Sequence, residues 1–126
     1  MRIDAALLAE IEGRAAASPD SEVCGLLLGS VDRISAAPAT ANVAMHPEDS
    51  FEIDPSALFA ALRAERAGGL RLIGHYHSHP RGSSEPSPRD FAASEPGKLW
   101  LIVGQEAPRL WLATATGFIE QAFTSK

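Results

Sequence analysis

The segment His75-Tyr76-His77-Ser78-His79-Pro80, followed by Ser87-Pro88-Arg89-Asp90, constrains this chain more than any other part of it. It ends an apolar run, Leu70 to His77, that reads as a strand. Side chains two apart on a strand share a face, so His77 and His79 aim both imidazoles at one point. Any fold must set that face against a pocket and bring Asp90 back to it. The loop between them, Arg81 to Pro88, has three serines, two prolines and a glycine, which suit a tight return. Two imidazoles and one carboxylate leave a fourth tetrahedral position for water, which separates a catalytic zinc site from a structural one.

The rest of the chain supplies a frame for that strand. From Asp4 to Ala16, Leu7, Leu8, Ile11 and Ala15 follow helical spacing, with Asp4 as N-cap, and Ser18-Pro19-Asp20 stops the helix. Val23 to Leu28, closed by Gly29, reads as a buried strand, and Arg33 to Ala44 as weak β interrupted by Pro38. Met45 to Ser50 is a loop, and Phe51-Glu52-Ile53 alternates as a strand. Asp54-Pro55 opens a helix running through Leu58, Phe59, Leu62 and Ala64 to Gly68-Gly69. Asp90 to Ser94 reads as a helical turn. Leu99 to Val103, Leu110 to Thr114 and Phe118 to Phe123 form three closing strands, separated by Gly104 and Gly117. The expectation is one mixed α/β domain over residues 1–126, its sheet built partly from hairpins.

Composition narrows the chemistry. With 126 residues and 45% hydrophobic content, a packed core needs neither disulfides nor an obligatory partner. The single cysteine, Cys24, excludes an internal bridge and the Cys-x-x-Cys zinc spacings, so a metal site must use His and carboxylate. A reducing cytoplasm is the expected compartment. A net charge of −5 with 11 scattered basic residues argues against nucleic acid as partner. No apolar run nears the roughly 20 residues that span a bilayer, so no membrane is expected. The N-terminus reads as an amphipathic helix rather than a signal peptide. Oligomeric state is left open.

A zinc ion lowers the pKa of a bound water to about 7, and a neighbouring carboxylate can take the proton and deliver it to a leaving amine. Glu85 lies in the loop, so the better candidate is Glu22, at the start of a strand able to lie beside the metal-bearing one.

His77-x-His79, seven residues, Ser87, two residues and Asp90 is similar to the motif of the JAMM (MPN-plus) zinc metalloproteases, in their compact prokaryotic branch. Glu22-Val23-Cys24-Gly25-Leu26-Leu27-Leu28-Gly29 resembles the family's first strand, which carries its catalytic glutamate. Phe51 to Pro55 resembles the lead into its central helix, and the likeness runs from about Pro19 to Trp111. The resemblance implies a cytidine-deaminase-like fold. Its largely antiparallel curved sheet would be flanked by an N-terminal helix, a central helix and a short helix after the metal loop. It implies one Zn2+ held by His77, His79 and Asp90 with water as fourth ligand. Glu22 would be general base and acid, and Ser87 would support the oxyanion. No motif member is missing, which argues against the inactive scaffold branch. The implied partner is the C-terminal Gly-Gly tail of a ubiquitin-like or sulfur-carrier protein, cut at a peptide or isopeptide bond. There is little room for the insertions with which eukaryotic members select linked ubiquitins. His75 stands where relatives often carry a large aromatic such as Trp.

Other readings compete. Zinc could staple the loop in a non-enzymatic interaction module, or the domain could cut cell-wall or phage-tail peptides. A Ser-His-Asp hydrolase lacks its Gly-x-Ser-x-Gly elbow, and the zincin His-Glu-x-x-His helix is absent. His75 is assigned to packing or a hydrogen bond behind the metal, His46 to a solvated loop, and Cys24 to a small buried hydrophobe. Ser78 points away from its histidine neighbours and is expected to bond backbone.

Overall fold

Short apolar runs closed by glycine or proline form the strands of one sheet. A computed structural model describes residues 1–125. They form β1 (Arg2–Ile3), α1 (Ala5–Ala16), β2 (Cys24–Gly29), β3 (Arg33–Ala36), β4 (Ala39–Thr40) and α2 (Pro55–Arg66). Then come β5 (Arg71–Ser78), α3 (Pro88–Ala93), β6 (Leu99–Val103), β7 (Arg109–Thr114), β8 (Gly117–Gln121) and β9 (Thr124–Ser125). The strand order is β8-β7-β6-β5-β2-β3-β1-β9, with β4 also paired to β2. Most neighbours are antiparallel, whereas β5–β6, β1–β3 and β1–β9 are parallel. This is the mixed, largely antiparallel sheet with three helices that the family resemblance implied.

Alternation along the strands sorts the core into two layers. Leu27, Tyr76, Leu99, Leu101 and Leu110 bury one face of the sheet with Leu8 and Ile11 of α1. Cys24 and Leu26 bury the other with Ile53 and with Leu58 and Ala61 of α2. Cys24 pairs in register with His77 and Leu26 with His75, so both histidines lie on the α2 face.

Several boundaries differ from the sequence reading. Strand β2, read from Val23, begins at Cys24 and leaves Glu22 and Val23 just ahead of it. Phe51 to Ile53 makes only one bridge, Ile53 to Asn42, because Asp54 and Pro55 turn the chain into α2. There Asp54 caps as expected, accepting from Ser56 N–H at 3.0 Å. Asp4 is the N-cap of α1 as expected, but its side chain makes no capping bond; its carboxylate pairs with Arg33 at 3.3 Å. Phe59 is 63% exposed, since Leu58 and Ala61 take the sheet-facing side of α2. β1 and β9 are two-residue strands too short to carry a periodic signal.

The parallel β5–β6 pair decides where the site lies. Gly74 of β5 sits beside Leu99, the first residue of β6, and Ser78 beside Val103. Parallel neighbours cannot be joined by a hairpin, so residues 79–98 must travel back along the sheet. That crossover carries the loop and α3, and it begins at the carboxyl end of β5. Gly104, just past β6, packs against it so closely that a Cβ would overlap the backbone of Ser83 and Ser84. Neither obstacle is a movable side chain. Gly104→Ala is therefore expected to cost about 1–3 kcal/mol of stability, read by urea denaturation. An unchanged midpoint would show that the loop yields freely.

Candidate active site

His77 is the seventh residue of β5 and is fully buried. Its ring stacks on Phe51 with centroids 4.2 Å apart. His79 follows the strand; its N–H donates to Val103 O at 2.9 Å, extending the β5–β6 ladder by one residue. Its Nδ1 donates to the Ser83 carbonyl at 2.8 Å, so in the neutral ring the Nε2 lone pair is free to face the site. Asp90, 4% exposed, is the third residue of α3. Ser87 and Asp90 form a reciprocal capping box: Asp90 N–H donates to Ser87 Oγ at 3.1 Å, and Ser87 N–H donates to Asp90 Oδ2 at 2.8 Å. The helical turn read from Asp90 thus begins two residues earlier, at Pro88, because Ser87 is its N-cap.

These elements bring three donor atoms together. The Nε2 atoms of His77 and His79 lie 2.9 Å apart, and the Asp90 carboxylate is 3.3 Å from the first and 3.1 Å from the second. A Glu22 carboxylate oxygen joins both histidine nitrogens within 4.8 Å, a grouping able to hold a metal ion. Glu22 is fixed by its backbone: its N–H donates to Pro47 O at 2.7 Å, and its carbonyl accepts from Asn42 Nδ2 at 2.9 Å. Ser78 bonds backbone as expected, accepting from Val23 N–H at 2.9 Å and so tying the Glu22 segment to the histidine strand. Glu22, Asp49, His79, Arg81 and Ser87 line one surface cleft.

Opposed electrostatic forces act here. Burial pushes the Glu22 carboxyl from 4.5 up to about 7, with His79 pulling the other way. Burial would also raise Asp90, but hydrogen bonds to His77 and His79 outweigh it and hold its carboxyl well below the usual carboxylate range. Burial lowers His77, only partly offset by Asp90. His79 is raised against its burial by Asp90 and the Ser83 carbonyl. Two carboxyl groups beside one histidine thus part in opposite directions, the pattern by which sites keep one ionised and make the other a proton carrier.

The sequence reading missed the residues that hold these groups in place. Asn42 spends its whole amide tying the 42–52 segment to Glu22, donating to Glu22 O and Ser50 O and accepting from Ala44 and Glu52 N–H. Ser84, fully buried, ties the crossover loop to the β6–β7 turn through Glu106, Gly104 and Trp111. Arg89 of α3 pairs with Asp49 at 3.0 Å, beside Glu22. An Asn near a weak strand and a Ser in a loop carry no sequence signal, since their partners are distant in the chain. Glu85 bonds Arg109 at 3.0 Å. Cys24 is buried beside Thr40 and Ala41, and His46 is exposed beside Glu48, as expected. His75 shares the face of His77 and packs edge-on against Trp100, centroids 4.3 Å apart; burial pushes its pKa down to about 3.

Residues 4–114 match the family model for prokaryotic homologs of the JAB domain. The chain belongs to this family. It is 38% identical to "Desampylase" of Haloferax volcanii over 76% of this chain and 71% of that one. It is 35% identical to a "Probable TtuB-protein conjugate cleaving protease" of Thermus thermophilus, over 84% of this chain and 71% of the relative. A solution structure of a Desulfitobacterium hafniense protein superposes with a TM-score of 0.85 at 25% identity, covering 99% of this chain and 92% of that one. With relatives named for protease and conjugate-cleaving activity, this prokaryotic JAB-domain chain is an enzyme of the JAMM peptidase and isopeptidase class.

Glu22 makes a measurable demand on the fold. Its folded pKa lies above its unfolded one, so the contribution of its protonated form is complete below about 4.5 and is lost as pH rises through about 7. In chelator-treated protein, Glu22→Gln is expected to raise stability by about 1–3 kcal/mol near pH 8, and the gain should vanish near pH 4. Denaturation at both pH values reads this directly. A gain that does not depend on pH would contradict the burial of an ionisable Glu22.

Proposed function

We propose that this chain is a zinc-dependent isopeptidase or peptidase that cuts after the C-terminal Gly-Gly of a ubiquitin-like or sulfur-carrier protein. In this reading His77, His79 and Asp90 hold the ion, Glu22 moves the proton, and Ser87 supports the developing oxyanion. The observation that carries it is the triangle of His77 Nε2, His79 Nε2 and an Asp90 oxygen with sides of 2.9, 3.1 and 3.3 Å. Zn–N and Zn–O bonds of about 2.0–2.1 Å give a tetrahedral edge of about 3.3–3.4 Å, so the donors need little movement to accept zinc. Their chemistry fits as well. Asp90 stays ionised beside two imidazoles that donate to it when no ion is bound, and because Ser83 holds the Nδ1–H, loss of the Nε2 proton leaves His79 Nε2 as a lone-pair donor.

Zinc at these residues would supply Lewis acidity and lower the pKa of water. The chain's own groups account for the rest. Glu22, whose buried carboxyl is pushed up to about 7 before any ion is bound, accepts a proton from the attacking water and returns it to the leaving amine nitrogen, ending each turnover ionised. The Ser87 hydroxyl oxygen accepts from the Asp90 N–H, and its own hydrogen is left to donate toward the carbonyl oxygen as charge develops. The cleft between Glu22 and Ser87 is where an extended tail would lie. A Gly-Gly tail suits it because glycine lets backbone approach closely. The names of two relatives, a desampylase and a probable TtuB-protein conjugate cleaving protease, support this substrate class.

The test uses small Gly-Gly-ending carrier proteins of the host bearing C-terminal extensions or lysine-linked partners, with mass spectrometry of the products. Cleavage after the second glycine is expected, with loss on chelation and recovery on adding zinc. Glu22→Gln should keep its zinc while turnover falls about 100- to 10,000-fold. Full activity of that variant would remove Glu22 from the mechanism. No cleavage of any candidate would reject the carrier-protein substrate.

A further inference from the structure

Behind the candidate metal site, three buried polar atoms have no hydrogen-bond partner among the described residues: Nδ1 of His75, Nδ1 of His77 and Nε1 of Trp100. They belong to one aromatic cluster. The His75 and Trp100 centroids are 4.3 Å apart, those of His77 and Trp100 5.5 Å, and Phe51 stands 5.6, 4.2 and 5.7 Å from His75, His77 and Trp100. The rings are adjacent, yet none of the three nitrogens bonds another directly.

Their chemistry is complementary. Trp100 Nε1–H can only donate. His77 turns Nε2 toward His79 and Asp90, so when that lone pair serves a cation its Nδ1 must carry the proton and donate as well. A metal-binding imidazole nearly always passes this second N–H to an acceptor, which fixes the ring and strengthens it as a ligand. Phe51, stacked on the ring, offers no such acceptor. Of the three unpartnered nitrogens, only His75 Nδ1 can accept, with the proton on Nε2. A water has two lone pairs for the two donors and a hydrogen for that acceptor, three partners being typical for a buried water.

We infer that His75 is a positioning residue, which with Trp100 encloses one structural water accepting from His77 Nδ1–H and Trp100 Nε1–H and donating to His75 Nδ1. The water supplies the acceptor that His77 lacks, and His75 holds the water. This rests on the proposed zinc site, which it deepens. It also gives a polar histidine in an apolar cluster a role that packing alone would not require.

Three measurements test it. In zinc-loaded wild-type protein, nitrogen-15 NMR should show His77 protonated at Nδ1, with a cross-peak to a long-lived water; its absence would overturn the inference without any mutation. His75→Phe keeps a ring and removes the acceptor. It is expected to weaken zinc binding about 10- to 100-fold against a competing chelator, while the zinc-free variant unfolds no earlier than wild type. His75→Gln, which restores an acceptor, should recover part of that affinity. Zinc affinity within twofold of wild type in His75→Phe overturns the inference, and so does a loss matched by a less stable zinc-free protein. His77→Ala separates the two readings. If it alone loses zinc, the metal site stands and the water bridge falls; if it too keeps wild-type affinity, the metal assignment itself fails.

Discussion

The parallel pairing of β5 with β6 is the constraint on which the site depends. β2 pairs antiparallel with β5 on one side, and β6 runs parallel on the other, so the histidine strand is central and enclosed. A parallel neighbour obliges the chain to leave the carboxyl end of β5 and return by a crossover. Everything the crossover carries is thereby offered to the end of the strand where His77 and His79 sit. Open α/β sheets place ligands at strand carboxyl ends for the same reason. Here the crossover supplies Asp90 and Ser87, and β2's approach segment supplies Glu22 from the opposite side.

The site costs the fold something. Glu22 sits 8% exposed with its backbone fixed at both amide ends, and its ionised form is disfavoured by burial. Asp90 is as deeply buried but stays ionised because two imidazoles and the Ser87 N–H face it. The two carboxyl groups differ through their partners rather than their depth. Hydrogen-bond donors turned toward Asp90 make it an anion, and their scarcity around Glu22 makes it a group whose proton can come and go.

Positioning residues share a trait that distinguishes them from the chemical ones. Asn42, Ser78 and Ser84 each join segments far apart in sequence by bonds to backbone, so they set where a loop lies without touching the cleft chemistry. Gly104 does the same through close contact, having no Cβ to push the crossover loop away. His75 and Trp100 lie on the buried side of His77 and meet it by ring packing alone.

Much of the protein was legible in the residue order. The helices α1 and α2, the strands around Val23–Leu28 and Leu70–His77, and the three closing strands follow from local periodicity and from proline and glycine at their ends, which act within a few residues. His77 and His79 were a pair from spacing alone, because period two is a property of any strand. Other features were decided only in three dimensions. Ser87 reads as a loop serine but is the N-cap of α3, since a cap is defined by the backbone it meets. Asp4 is the N-cap of α1 by position, but its carboxylate turns to Arg33 on the neighbouring strand β3. The glycine and prolines of the 81–88 loop suggest a tight return of Asp90; the parallel crossover is what brings it back, with Ser84 and Gly104 holding its course. Local order could name the ligating residue types. It could not say which carboxyl would be ionised, because that depends on donors and burial contributed by strands and loops distant in the chain.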